Sequence, residues 1–392
     1  MNSNKIIFLS NQMDTPFNNI SGVYNFARLL NLQSLGYEII IICPINLLPP
    51  PNLYNPILFI KYIKEQLSIP LKTTVKGFSI YYPKYFSLPK KISWFSEVFF
   101  LHLFCGKKIK NIIFNCKPDL ILTSWLHPFG TYSKYIKKYY NKPYFSYCEG
   151  SDILIFPEKY SGWKKIEHIV NQYIDCVILI SKEMEKKVKQ KRNLSNTLTI
   201  VDGYREDLFY FKNSPNNLSN INLLSVGALL PVKGHDILIK AVSNLKTINS
   251  LTIIGGGPEE RNLINLVINN QMKDRFKSIP YVDQQEINNY INDCNIFCMP
   301  SRSDALPAAA LEAMACGRPV VACAVGGLKD IINDGFNGFL TNPEDPLDFA
   351  DGLTRAINHT WNYKKIADWT KSNYGWKKSI DELNTFILNN EK

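Results

Sequence analysis

The chain lacks any apolar stretch near the roughly 20 residues that a membrane-spanning helix needs. Its longest apolar runs, 39–43 and 98–105, are far shorter. Nine cysteines are scattered without a CxxC pair, and Cys294 and Cys298 stand four apart with no histidine partner. That spacing supports no zinc site, so the cysteines read as reduced, buried thiols. No GxxxxGK[ST] run is present, which removes the phosphate-binding P-loop, and no GxGxxG follows a strand. Zinc-finger, helix-turn-helix and RNA-binding aromatic patterns are also missing, which argues against a nucleic-acid partner. Residues 1–10 hold one lysine and a short apolar stretch, 6–9, a pattern of a first buried strand rather than an exported leader.

The chain does have material for two cores: 392 residues, 45% of them hydrophobic and 20% charged. Its charge is divided unevenly. Residues 1–200 carry 26 Lys and Arg against 12 Asp and Glu, and residues 201–392 carry 19 against 22, so the excess of +11 lies wholly in the first half. Lys134, Lys137, Lys138 and Lys142 form one basic group, and Lys182 to Arg192 another. The stretch 90–110 interleaves lysines with Trp94, Phe95, Phe99, Phe100 and Phe104. Two readings stand: a solvated basic face beside an ordinary core, or contact with an anionic bilayer surface.

Strand, loop, helix and strand follow one another from Lys5 to Cys43, the order a parallel sheet with crossover helices produces. Strands are expected again at 119–123, 144–148 and 176–180, with a helix at 131–140. The segment 44–89, rich in Pro, Tyr and Asn, takes no assignment. After the polar 213–220 a second α/β series begins, with strands at 222–226, 250–254, 295–299 and 319–322 and a helix at 233–245. The stretch 361–388 is helical in parts and broken near Gly375. The division expected is 1–200, 201–370 and a final helical segment, 371–392, returning to the first domain.

Two segments carry chemistry. Gly255, Gly256, Gly257 and Pro258 follow a strand directly, where glycine allows either a tight turn or close approach of backbone to a ligand. Residues 300–319, PSRSDALPAAALEAMACGRP, put Asp304 in a loop and Glu312 in the helix that follows, ended by Gly317 and Pro319. A helix of small residues packs closely and offers its first-turn amides to an anion.

This segment resembles the signature of retaining glycosyltransferases of the large family 4 (glycosyl transferases group 1): an acid, seven residues, a glutamate, then an EAMACG-like run. Glu312 to Gly317 match fully. The resemblance spans most of the chain and is strongest over 222–341. It implies an α/β fold of GT-B architecture, two Rossmann-like domains facing each other across a cleft. Glu312 would hydrogen-bond the ribose of a nucleotide sugar. Asp304 takes the place of the first glutamate, one methylene shorter, and the backbone near Leu306, Pro307 and Ala308 would contact sugar or phosphate oxygens. Lys233 and Gly234 match the family's lysine–glycine pair, with Lys233 stabilising the departing diphosphate, while Ala228 stands where an arginine is common. Gly256 falls in the family's glycine–proline–glutamate loop.

The first half matches less closely. Gly22 resembles the second glycine of a donor- and acceptor-facing loop, with Ser21 in place of the first. Glu149, Gly150, Ser151 and Asp152 resemble a segment that usually begins with histidine; Glu149 is either a sugar-contacting or proton-accepting carboxylate or a structural partner. His127 resembles a histidine of the acceptor side, against the alternative of a satisfied core histidine.

The activity implied is transfer of a hexose-type sugar, with retention, from a UDP- or GDP-sugar to a hydroxyl of a saccharide or polyprenyl-linked saccharide in surface glycan synthesis. Lys233, Asp304 and Glu149 are the catalytic candidates, and no metal is required. The expected location is cytoplasmic, with peripheral contact at the inner face of the cell membrane. A nucleotide-sugar epimerase, a phosphorolytic enzyme or a non-catalytic carbohydrate-binding subunit are the alternatives.

Overall fold

In a computed structural model the chain is described over residues 4–15, 22–48, 56–88, 94–215, 220–304 and 308–390. It divides into two compact units. One comprises residues 1–180, 184–200 and 380–392, and the other residues 181–183 and 201–379.

The first unit is built on an eight-stranded sheet. Its strands are β1 (Lys5–Leu9), β2 (Glu38–Ile42), β4 (Lys72–Val75), β5 (Phe78–Tyr81), β7 (Leu120–Ser124), β8 (Tyr144–Cys148), β9 (Cys176–Leu179) and β10 (Thr197–Thr199), in the order β10-β9-β8-β7-β1-β2-β5-β4. A separate parallel pair joins β3 (Ile45–Asn46) and β6 (Lys84–Tyr85). Every pairing in the large sheet is parallel except the β4–β5 edge hairpin. Strands covered on both faces are near-continuous apolar runs, and β7 and β8 are buried throughout, with the hydroxyls of Thr123 and Ser124 hydrogen-bonded. The segment 44–89 thus resolves into β3 to β6 and a helix, Pro56–Ser68.

The second unit holds a six-stranded parallel sheet of β11 (Ile221–Val226), β12 (Ile248–Ile254), β13 (Phe276–Ile279), β14 (Ile296–Met299), β15 (Val320–Cys323) and β16 (Gly338–Thr341), in the order β13-β12-β11-β14-β15-β16. Apolar clusters cover both of its faces. The expected helix at 131–140 is instead a 3-10 turn, Gly130–Tyr132, followed by one helical turn, Ser133–Ile136. The helix expected from Lys233 starts two residues later, as His235–Ser243, because Gly234 takes φ +67° and breaks the turn carrying Lys233 away from it.

Chain order reverses at one place in each sheet, between β1 and β7 in the first and between β11 and β14 in the second. Ligands of open parallel sheets bind outside the carboxyl ends of the strands at such reversals. Gly22 follows β1, His127 follows β7 and Glu149 follows β8; Lys233 follows β11 and Asp304 follows β14.

All nine cysteines are free. Burial pushes the thiols of Cys43, Cys105, Cys176, Cys294 and Cys316 up to about 12, so they stay protonated and inert. Of the pair four apart, Cys298 lies in β14, whereas Cys294 caps the preceding helix.

Candidate functional site

In the second unit, residues 71 positions apart meet at the reversal. Lys233 Nζ lies 2.6 Å from Asp304 Oδ2. The lysine side chain is 30% exposed and the aspartate 11%, so the ammonium has both a partner and an open side. Ser301 Oγ also donates to Asp304 Oδ2, at 3.5 Å.

The loops holding this pair are locked together from behind by Arg302, a residue of the signature to which sequence reasoning gave no role. Its guanidinium takes both Asp236 oxygens at 2.8 and 2.9 Å, Glu344 Oε1 at 2.7 Å and the Pro231 carbonyl at 2.6 Å. The Arg302 backbone N–H donates to Val232 O at 2.8 Å. The fork geometry of guanidinium suits this many-sided clamp, which a lysine cannot reproduce. These hydrogen bonds hold the guanidinium pKa above its ordinary value. The only cue in sequence was an arginine two residues before the loop acid.

Gly234 permits the close approach. A Cβ there would lie 2.0 Å from the Pro300 carbonyl oxygen, and its φ disfavours any side chain. Gly234→Ala should therefore destabilise the fold by roughly 3 kcal/mol or more, read as a fall in the midpoint of chemical unfolding. Gly255 has a like constraint: its Cβ would meet Gly227 O at 2.0 Å. Gly256, the expected donor-loop residue, is exposed, and its carbonyl accepts from Leu229 N–H at 3.0 Å. The glycine run therefore lies close against the 227–229 loop, with the second glycine bonded to it through its carbonyl yet exposed to solvent.

Glu312 sits within the Ala308–Ala315 helix and is buried, flanked by fully packed Leu311 and Ala313. Ala308 is the first residue of that helix and partly exposed. Leu306 and Pro307 lie outside the described residues, as does Ser21. His235, just after the lysine–glycine pair, was not singled out either. Burial pushes its imidazole down to about 4, so it is neutral at ordinary pH beside the Gly227 and Ala228 backbone.

In the first unit, Glu149 Oε1 accepts from Ser124 Oγ at 2.7 Å and lies 3.9 Å from Arg28 NH1. Arg28 is almost wholly buried, stacked 3.6 Å from the Tyr147 ring centroid and donating to Asn25 Oδ1 at 3.0 Å. A buried cation needs an anionic partner, and Glu149 stands in that place beside Arg28. Among the described residues Oε2 of Glu149 makes no hydrogen bond, and the side chain is 22% exposed. The structural and ligand-facing readings of Glu149 are thus divided between its two oxygens. Arg28 escaped notice because one arginine in an amphipathic helix reads as a surface residue.

Asp152 is fully buried and spends its carboxylate on backbone: Leu126 N–H donates to Oδ2 at 2.7 Å, Glu149 and Gly150 N–H to Oδ1 at 3.1 and 3.0 Å. It shapes the turn that carries Glu149. Burial pushes its carboxyl up to about 7 from an ordinary 3.8, helped by the charge on Glu149 and opposed by the amides. The folded state then holds this proton more tightly than the unfolded chain. Stability from the group is full below pH 3.8 and is lost as pH rises through about 7. Asp152→Asn, which offers an NH2 to the Leu126 N–H, should cost about 2–3 kcal/mol at low pH. The gap from wild type should narrow as pH rises toward 7, measured by urea unfolding across that range.

His127 is buried with both nitrogens engaged, Nε2 with the Trp94 carbonyl and Nδ1 with Thr131 Oγ1, each at 2.9 Å. This is the geometry of a satisfied core histidine. Gly22 N–H donates to Asp14 Oδ1 at 3.1 Å, and a Cβ at Gly22 would meet Asp14 N at 2.8 Å. Asp14 in turn pairs with Lys76 at 2.8 Å. Among the described residues no group of three or more His, Cys, Asp or Glu could hold a metal ion.

Comparison with known proteins gives these sites a setting. Over 98% of both chains the structure matches the sucrose-phosphate synthase of Thermosynechococcus elongatus, with TM-score 0.77 and 17% identity. It matches Anabaena HepE in complex with UDP-glucose with TM-score 0.68 and 17% identity, over 98% of this chain and 99% of that one. A glycosyltransferase of Methanocaldococcus jannaschii is 29% identical over 286 residues, 70% of this chain and 78% of its relative. The chain thus has the GT-B fold of these neighbours. Its second unit carries the glycosyl transferases group 1 domain, matched over residues 207–376.

Proposed function

We propose that the protein transfers a hexose from a nucleoside-diphosphate sugar to a hydroxyl of a saccharide or polyprenyl-linked saccharide, retaining anomeric configuration. The carrying observation is the Lys233–Asp304 pair at the β11/β14 reversal, beside the helix of Glu312. That HepE has been determined with UDP-glucose supports a UDP-sugar donor.

On this reading Lys233 stabilises the charge that grows on the diphosphate as the glycosidic bond breaks. Glu312 takes the ribose hydroxyls, and the departing phosphate accepts the acceptor's proton on the same face of the sugar. Asp304 orients Lys233 and meets the donor sugar from the other side of the pair. Glu149 Oε2 hydrogen-bonds a sugar hydroxyl, its other oxygen being held by Ser124 and Arg28. The opposed acids that a covalent glycosidase needs play no part in the scheme. The working location is the cytoplasm.

A panel of UDP- and GDP-sugars with a mixed acceptor set, read by mass spectrometry, tests the reading. Glycosylated acceptor plus released nucleoside diphosphate is expected. Epimerised donor, free sugar phosphate, or nucleotide binding with no turnover on any acceptor would refute it.

A further inference from the structure

We propose that one face of the first unit, formed by the Pro56–Ser68 helix, the residues after β6 and the Glu97–Cys116 helix, docks on an anionic lipid bilayer. The proposal rests on the transfer reading for its purpose but not for its test.

The Pro56–Ser68 helix has no buried residue, and Leu58, Ile60 and Leu67 are exposed along it, Ile60 by 55%. A 13-residue helix gains little stability alone in water and usually draws it from a packed apolar face. The Glu97–Cys116 helix does pack one face, through Val98, Leu101, Cys105, Ile109 and Ile113. Its other side, where a soluble amphipathic helix is polar, presents Phe99 and Leu103, exposed by 53 and 61%. Exposed Phe104 lies beside them.

The two helices share one surface. Lys84 Nζ donates to the carbonyls of Leu67 and Ile69 at the end of the first, while Phe86, two residues on, meets Phe104 of the second with ring centroids 6.2 Å apart. Exposed apolar side chains gathered around Lys84 to Phe86 in this way mark a partner or a membrane.

Charge selects between them. The next turn of the second helix carries Lys107 and Lys108, both exposed, and Lys110 reaches over the Tyr139 ring. The one acid of that helix, Glu97, is buried and accepts from Tyr85 OH at 2.9 Å. A second copy of this face would bring lysines against lysines. An anionic bilayer offers both an apolar interior for the phenylalanines and leucines and phosphates for the lysines. Among the described residues no helix is long and apolar enough to cross, so contact would be peripheral.

The test is co-sedimentation of the full chain with vesicles of phosphatidylcholine alone and of phosphatidylcholine mixed with phosphatidylglycerol, at low salt and without sugar donor. Wild type should bind the mixed vesicles far more than the neutral ones. The double variant Phe99→Glu, Leu103→Glu, altered only at exposed positions, should lose at least about tenfold in partitioning. The double variant Lys107→Glu, Lys108→Glu should lose at least about 25-fold, since each lysine near an anionic surface contributes about fivefold and each glutamate adds repulsion. Transfer to a soluble acceptor, measured in parallel, should be unchanged in both, which separates failure here from failure of the transfer reading. Wild type that ignores anionic vesicles, apolar variants that bind like wild type, or a dimer that the variants dissociate would each overturn the proposal.

Discussion

Lys233→Ala should lower kcat for sugar transfer about 10²- to 10³-fold, with a much smaller change in donor KM. The reasoning is differential. A cation 2.6 Å from Asp304 is already paired before the donor arrives, so swapping one anion for another adds little to ground-state binding. When the glycosidic bond breaks, negative charge grows on the diphosphate, and only then does the ammonium contribute fully. Lys233→Arg should restore part of the rate, since charge is kept although a guanidinium prefers another geometry. Asp304→Asn, which loosens the lysine without deleting it, should cost less than Lys233→Ala. Nucleotide release under saturating donor measures all three, with circular dichroism to confirm folding. Wild-type turnover in Lys233→Ala would remove the lysine from the mechanism.

The second large effect falls on affinity. Glu312→Ala should raise donor KM, and the Kd of the nucleoside diphosphate, by roughly 10- to 100-fold, because hydrogen bonds to a charged group contribute about 1.5–3 kcal/mol each. The kcat should move by only a few-fold, since ribose contacts are the same in the bound and reacting states. Glu312 is buried in a helix packed with Ala310, Ala313 and Ala315, so its backbone position is rigid. Calorimetric titration with UDP and GDP checks the shift and shows which base is preferred. Equal nucleotide affinity in wild type and variant would place Glu312 outside the donor site. Loss on opposite axes, rate for Lys233 and affinity for Glu312, separates the two roles.

The GT-B architecture was legible because its strands are continuous apolar runs. IIFL in β1, EIIII in β2 and VVAC in β15 admit few other readings once turns bound them. Segment 44–89 gave no such signal. Its strands are two to four residues long, β4 reads KTTV, and the Pro56–Ser68 helix has no buried stripe to betray its period. The start of the helix after Lys233 was misplaced because the contact between Gly234 and Pro300 is tertiary, and local propensity contains nothing of it. The signature segment could be recognised in one dimension, but the pairing of Lys233 with Asp304 depends on β11 and β14 being neighbours. His127 shows the converse limit: resemblance left an acceptor-side and a core histidine both open, and its surroundings engage both nitrogens in hydrogen bonds.

The division of the chain has a consequence for how the protein is made. Residues 380–390 end the Trp376–Asn390 helix and belong to the first unit, where Phe386 packs on Phe145 and Asn384 accepts from Tyr37 OH at 2.7 Å. On the ribosome those residues emerge after all of the second unit has been synthesised. The first unit, although most of it is translated first, cannot close its surface until then, whereas the second is complete at residue 379. Nascent-chain proteolysis should find protease resistance arriving in the order opposite to synthesis.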